Sequence, residues 1–327
     1  MSRARVLVAG QLADFLRATP MPDDIHVELL AEGDPVPEGD GAVGLLPLMT
    51  RPIGAEEMDR LTQLRVIANY GVGHDNIDLA AARARGIGVA NTPDALTMAT
   101  AEMTWALILA AARRLPEGDR LARGGLWTGW HPTQLLGRGL DGRVLGIVGA
   151  GRIGTEVARK APAFGMGVEY WSRSRSRALE KHSGARRVSL DELLAAADVV
   201  SLHVALTPET THLIDAAALD SMKPDAILVN TARGPIVDEQ ALIEALESGR
   251  LRAAALDVYE REPAIPARLR ALPNAVLMPH MGSATERARR GMWELAWENL
   301  LRGVRFQTLR NPVADRGAAG AEDGEGA

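Results

Sequence analysis

The chain has 327 residues, enough for about two domains that each bury a core without staples. Hydrophobic residues make up 46% and charged residues 24%, which excludes a chain disordered throughout. Cysteine is absent and the net charge is −5, which excludes disulfide frameworks, thiolate metal sites and cysteine nucleophiles and gives no electrostatic footprint for nucleic acid.

Short β-rich runs alternate with helical stretches from the first residues. Residues 5–9 (RVLVA), 25–30, 42–46, 65–68 and 87–90 read as buried parallel strands, with helical or irregular stretches such as 54–64 and 78–85 between them. Asn91-Thr92-Pro93 breaks the rhythm. Residues 98–115 are apolar on nearly every face, so one helix is predicted there, buried in a core or a subunit interface. Residues 124–140, with Trp127, Trp130 and several glycines, read as an extended connection. A second series begins at Arg143, with strands predicted at 144–148, 167–171, 198–202, 226–230, 253–256 and 275–278 and helices at 153–164, 190–196 and 239–248. A long helix over 284–301 carries Trp293 and Trp297, and the Gly-, Ala- and acid-rich tail 316–327 is expected to be disordered. No apolar run reaches ~18 residues and MSRARVLVAG has no signal-peptide core, so a cytoplasmic protein without a membrane partner is expected. No His or carboxylate cluster has ligand spacing, so no metal site is expected.

Gly149, Gly151 and Gly154, with Arg152 and Ile153, form a G-x-G-x-x-G. A structural glycine turn would look similar. The apolar strand running into it and the helical pattern after it favour a dinucleotide site. Gly149 would permit the tight turn, Gly151 the approach of a pyrophosphate, and Gly154 the packing of helix on strand, with the helix N-terminus facing the anion. An NAD site places Asp or Glu at the end of the next strand, ~20 residues on. Here that strand ends in Ser172-Arg173-Ser174-Arg175, and Glu169 lies too early. A solvated basic run is the plain alternative. Hydroxyls and a guanidinium suit a 2′-phosphate, so NADP(H) is favoured over NAD(H).

Three more strands run into chemistry-bearing residues: 226–230 into Thr231-Ala232-Arg233, 253–256 into Asp257-Val258-Tyr259-Glu260-Arg261-Glu262, and 275–278 into Pro279-His280-Met281-Gly282. In an open α/β sheet ligands sit beyond the carboxyl ends of strands, so an Arg, an acid and a His can converge there. Either Glu260 or Glu262 could be that acid, and the other six histidines read as structural.

The motifs VGAGRIG, TARGPIVDE, DVYEREP and PHMGSAT, preceded by ANYGVGHDNIDL and VANTPDALTMATAEM, resemble the D-isomer-specific 2-hydroxyacid dehydrogenase family over nearly the whole chain. WTGWHPTQLLGRGLDGRVLGIVG and the SRS after the second strand most resemble its glyoxylate/hydroxypyruvate reductase branch. The resemblance implies that Arg233 grips the 2-keto acid and that His280 is the proton donor. It makes Glu262, which directly precedes Pro263, the acid that holds the His280 ring. It assigns Val72 and Gly73 N–H groups to the substrate carboxylate and carries Trp130 into a partner's active site, with Trp127 a rival. Cofactor contacts are implied for Thr100, Thr231, Ala232, Arg233, His280 and Gly282, and for Asp257, which could instead cap a turn.

The implied fold is α/β with two doubly wound parallel sheets, a Rossmann cofactor domain (98–283) inserted in a flavodoxin-like substrate domain (1–97 and 284–315), assembled as a homodimer. The implied activity is NAD(P)H-dependent reduction of a small 2-keto acid such as glyoxylate or hydroxypyruvate. A dehydrogenase for a bulkier or phosphorylated D-2-hydroxy acid and a non-catalytic, nucleotide-sensing corepressor-like protein are the alternatives.

Overall fold

The structure, a computed structural model, describes residues 3–39 and 41–313. The tail expected at 316–327 lies outside the described residues. The chain divides into two compact units, one drawn from Met1–Leu96 and Thr285–Ala327 and the other from Thr97–Ala284.

The first unit is built on a parallel sheet of β1 (Ala4–Ala9), β2 (Ile25–Leu30), β3 (Gly44–Leu46), β4 (Val66–Ala68) and β5 (Gly88–Ala90), in the order β2-β1-β3-β4-β5. Val6, Leu7 and Val8 are wholly buried, because helices cover both faces and the strand is apolar on both. The helix Glu286–Val304 packs against β3 and β4. Glycine permits that close approach, since a Cβ at Gly44 would lie 2.8 Å from Leu300 Cδ1 and one at Gly303 would collide with Val66. Trp293 stacks on Phe15 and Trp297 at centroid distances of 6.0 and 5.4 Å and donates its indole N–H to Thr19 Oγ1 at 2.7 Å.

The second unit holds a parallel sheet of β6 (Val144–Val148), β7 (Gly167–Trp171), β8 (Arg186–Arg187), β9 (Val199–Leu202), β10 (Ile227–Asn230), β11 (Ala253–Leu256) and β12 (Ala275–Leu277). Its order, β12-β11-β10-β9-β6-β7-β8, puts β6 at the point where the winding reverses, the position where such sheets bind ligands.

The helix predicted over 98–115 is two helices. Thr97–Ala112 lies against β10, β11 and β12 with Trp105 donating to the Val157 carbonyl at 3.0 Å, and Leu115–Arg123 follows. Arg114 breaks the path with φ +56°, a left-handed conformation in which its guanidinium grips Glu117 at 2.7 and 2.8 Å. Pro116, lacking an N–H, fits only the first turn of the new helix. Leu115 is accordingly exposed rather than buried. Short elements at Ala13–Arg17, Arg177–Ser183, Ala216–Ser221 and Ala267–Ala271 escaped the sequence pattern. They are helices of two turns or fewer, and local caps start two of them: Ser176 and Asp215 accept from the Leu179 and Ala218 N–H groups. Among the described residues no helix is long and apolar enough to cross a membrane.

Candidate active site

The glycine loop follows β6. Gly149 has φ +106°, and a Cβ there would lie 2.6 Å from the His203 carbonyl carbon and 2.7 Å from the Val204 nitrogen. At Gly154 a Cβ would collide with the Gly149 carbonyl oxygen. Gly151 differs, since nothing lies within 4 Å of its Cβ position. Two glycines are therefore demanded by packing, while the third leaves backbone open beside the start of the helix Arg152–Lys160. There Ile153 turns partly into the core and Arg152 stays exposed. That cradle fits a dinucleotide pyrophosphate.

At the end of β7, the Ser172 hydroxyl donates to the Ser174 carbonyl, and Arg187 Nη2 donates to the Ser172 and Arg173 carbonyls at 2.9 Å each. Arg175 pairs with Glu180 at 2.8 Å, and Glu169 turns to Arg186 at 2.7 Å. Arg173 and Ser174 stand exposed on this braced loop.

The Arg233 turn is shaped by Asn230, which is 1% exposed. Its side chain accepts from Ala232 N–H at 3.0 Å and donates to the Arg233 carbonyl at 2.8 Å. Sequence reasoning overlooked this residue, although an asparagine closing a strand is a recognisable turn former. Arg233 Nη1 donates to the Ala232 carbonyl at 2.8 Å. The Thr231 hydroxyl faces inward and shares a 2.9 Å hydrogen bond with Thr104.

Asp257 is a turn cap: its carboxylate accepts from Met281 and Gly282 N–H groups at 2.6 and 2.7 Å, and its carbonyl accepts from His280 N–H at 2.9 Å. Burial pushes its carboxyl above the ordinary range, against the pull of those two N–H groups. His280 is thereby presented with φ +52°, unusual for a residue with a side chain. A Cβ on Gly282 would lie 3.1 Å from Asp257 Oδ2 and 3.5 Å from the buried Thr100 hydroxyl, so Thr100 closes this side of the cluster.

His280 Nδ1 lies 2.7 Å from Glu262 Oε2, and Glu262 Oε1 accepts from Tyr259 N–H at 3.0 Å. Glu260 pairs instead with His212 at 2.7 Å. Burial alone would raise the Glu262 carboxyl. The His280 hydrogen bond and charge, the Tyr259 N–H and the Arg233 charge outweigh it and hold the group below the usual carboxylate range. Arg233, Glu262, His280 and Asp257 thus gather past the carboxyl ends of β10, β11 and β12.

In the first unit, the loop after β4 has its carbonyls pinned. Gly71 O accepts from Thr92 N–H at 3.0 Å, Val72 O from Asn91 Nδ2 at 2.7 Å, and Gly73 O from Asn69 Nδ2 at 2.7 Å. Because a trans peptide sets C=O and N–H antiparallel, the pins on Gly71 and Val72 direct the N–H groups of Val72 and Gly73. Trp130 and Trp127 are 81% and 59% exposed, so neither joins the chain's own core.

Comparison with known proteins assigns the family. The family described as D-isomer specific 2-hydroxyacid dehydrogenase, NAD binding domain, matches residues 105–282. The chain is 49% identical to glyoxylate reductase of Thermococcus litoralis over 261 residues, covering 79% of each protein. It is 51% identical to that of Aeropyrum pernix over 265 residues, 80% of this chain and 79% of that one. Among solved structures, the NADPH-dependent glyoxylate/hydroxypyruvate reductase of Sinorhizobium meliloti in complex with NADP and malonate superposes with a TM-score of 0.86 at 33% identity, over 96% of this chain and 97% of that one. A glyoxylate reductase from Paecilomyes thermophila gives 0.83 at 34% identity, over 95% and 98%. The chain belongs to the D-isomer-specific 2-hydroxyacid dehydrogenase family and is an NAD(P)-dependent oxidoreductase.

Proposed function

We propose that this protein reduces a small 2-keto acid with NADPH, glyoxylate to glycolate or hydroxypyruvate to the D-2-hydroxy acid. The observation that carries the reading is the 2.7 Å contact between His280 Nδ1 and Glu262, in a cluster where Arg233 also acts on the acid. Bound nicotinamide supplies the hydride. His280 spends Nδ1 on Glu262, which leaves Nε2 to deliver a proton to the oxygen that becomes the hydroxyl. The Glu262 carboxylate orients the ring and balances the imidazolium charge. Arg233 grips the substrate with planar, permanently charged donors and polarises its carbonyl. The N–H groups of Val72 and Gly73, directed by the pinned carbonyls of their loop, bind the substrate carboxylate.

On the cofactor side, the Gly149–Gly154 loop with Arg152 and Ile153 takes the pyrophosphate, and Thr100, Thr231, Ala232 and Gly282 make further contacts. The 2′-phosphate goes to Ser172, Arg173 and Ser174. Glu169, the acid of that strand, is turned away to Arg186. A relative named as NADPH-dependent and solved with NADP supports the same preference. The enzyme acts as a cytoplasmic homodimer in this reading, the partner covering exposed Leu126, Trp127, Trp130 and Leu136, with Trp130 reaching the partner's substrate.

The test is consumption of NADPH and NADH, in parallel, with glyoxylate, hydroxypyruvate, pyruvate and one bulky 2-keto acid. Fast NADPH oxidation with the first two is expected. A preference for NADH with the bulky acid would contradict both the substrate and the cofactor assignment, and tight cofactor binding without turnover would contradict the enzyme itself.

A further inference from the structure

The turn that carries Glu262 is held from outside as well as from within. Its consecutive N–H groups both end on carboxylates: Tyr259 on Glu262 Oε1 at 3.0 Å, and Glu260 on Glu239 Oε1 at 3.2 Å. Glu239 opens the helix Glu239–Glu247, directly after its N-cap Asp238, and is 8% exposed. The Tyr259–Glu260 peptide is also packed against Gly234, where any Cβ would collide with the Tyr259 carbonyl group and the Glu260 nitrogen. Gly234 follows Arg233 directly. One short segment, from Gly234 to Glu239, therefore touches the Glu262 turn twice, by backbone packing and by a carboxyl acceptor.

An acid in the first turn of a helix is favoured by the helix dipole while it stays in water. This one gives up water to reach a single backbone N–H, and burial pushes its carboxyl above the ordinary range. The groups facing it are Glu260, which adds to that rise and is itself paired with His212, and Arg261 and the Glu260 N–H, which oppose it. Tyr259, which also senses the Glu239 charge, sends its hydroxyl away to the Met278 carbonyl at 2.9 Å. A carboxyl kept inside for one N–H fits a requirement on where that N–H stands.

We propose that Glu239 is a positioning residue for the reduction: it fixes the Glu260 N–H and thereby the turn from which Glu262 holds His280. The role rests on the reading of His280 as proton donor. Glu239→Asp keeps the charge and withdraws the acceptor by one methylene. It is expected to lower kcat for the keto acid about tenfold and to move the high-pH limb of kcat about half a unit lower, because a loosened Glu262 favours the imidazolium less. NADPH affinity should stay within about twofold. Glu239→Gln keeps an acceptor oxygen at the same reach and is expected to leave kcat within about twofold and the limb in place. A wild-type limb in Glu239→Asp, or a loss in Glu239→Gln as large as that in Glu239→Asp, would overturn the proposal.

The His280 ring signal, assigned in the NMR spectrum by its disappearance in His280→Asn, reads the same effect without turnover. Its Nδ1–H proton, held by Glu262, is expected to resonate further upfield, as in a weaker hydrogen bond, in Glu239→Asp than in wild type and Glu239→Gln, and equal positions overturn the proposal. A wild-type protein that binds NADPH but reduces no keto acid defeats the proposed reaction and leaves this comparison standing.

Discussion

His203 makes the structure sensitive to acid. It follows β9, its backbone packs against Gly149, and its Nε2 is hydrogen-bonded to Ser201 Oγ at 2.9 Å. The residue is half-buried, and the burial of its ring lowers its pKa from 6.5 to about 3. The unfolded chain therefore takes up this proton first. The stability the neutral ring confers is complete above pH 6.5 and drains away as pH falls from there towards 3. At ~1.4 kcal/mol per pH unit the full loss is about 5 kcal/mol, and about 2 kcal/mol of it is gone by pH 5. Urea unfolding followed by circular dichroism at pH 7 and pH 5, in wild type and His203→Asn, isolates the effect from all other titrating groups. Wild type should lose about 2 kcal/mol more than the variant between the two pH values, with the loss localised by faster hydrogen exchange in β6 and β9. Equal losses, within about 0.5 kcal/mol, would show that the ring is not held neutral by burial.

Gly234→Ala sets a Cβ against the backbone of Tyr259 and Glu260, which cannot yield as a flexible side chain would. A loss of about 100-fold in kcat is expected, and an activity within about threefold of wild type would remove the claim that the Arg233 and Glu262 turns are packed as one. In Glu262→Gln the negative charge beside His280 disappears, so the high-pH limb of the reduction should move about one unit lower, and an unchanged profile would refute the role of Glu262. Arg173→Asp should weaken NADPH binding about 10- to 100-fold and NADH binding little, as measured by cofactor fluorescence, and equal effects on both would end the 2′-phosphate assignment.

The alternation of apolar runs and helical stretches carried the two parallel sheets except for the edge strand Arg186–Arg187, because strands buried on two faces are apolar and stand out from their surroundings, while both of its arginines are exposed. Ala253–Leu256 and Leu190–Ala196 have the same ends in the sequence reading and in the structure. Helices of five to seven residues such as Ala13–Arg17 and Arg177–Ser183 left too few turns for a period to show. The run through 98–115 looked continuous because its apolar residues continue past the break, while the break itself depends on one backbone angle at Arg114. In the site, Arg233, Glu262 and His280 were findable because each follows a strand end. Composition could not separate Glu262 from Glu260; the motif before Pro263 did, and in the structure one acid lies on His280 and the other on His212. Glu239 and Asp257 act through contacts 21 to 25 residues away in sequence, which no local pattern records.

The most direct test of His280 as proton donor is hydroxypyruvate reduction by NADPH in wild type and His280→Asn, with the product resolved by its handedness. D-glycerate is expected from wild type, and a rate lower by roughly 100- to 10,000-fold in the variant, with NADPH still bound. L-glycerate from wild type, or a variant as fast as wild type, would contradict it.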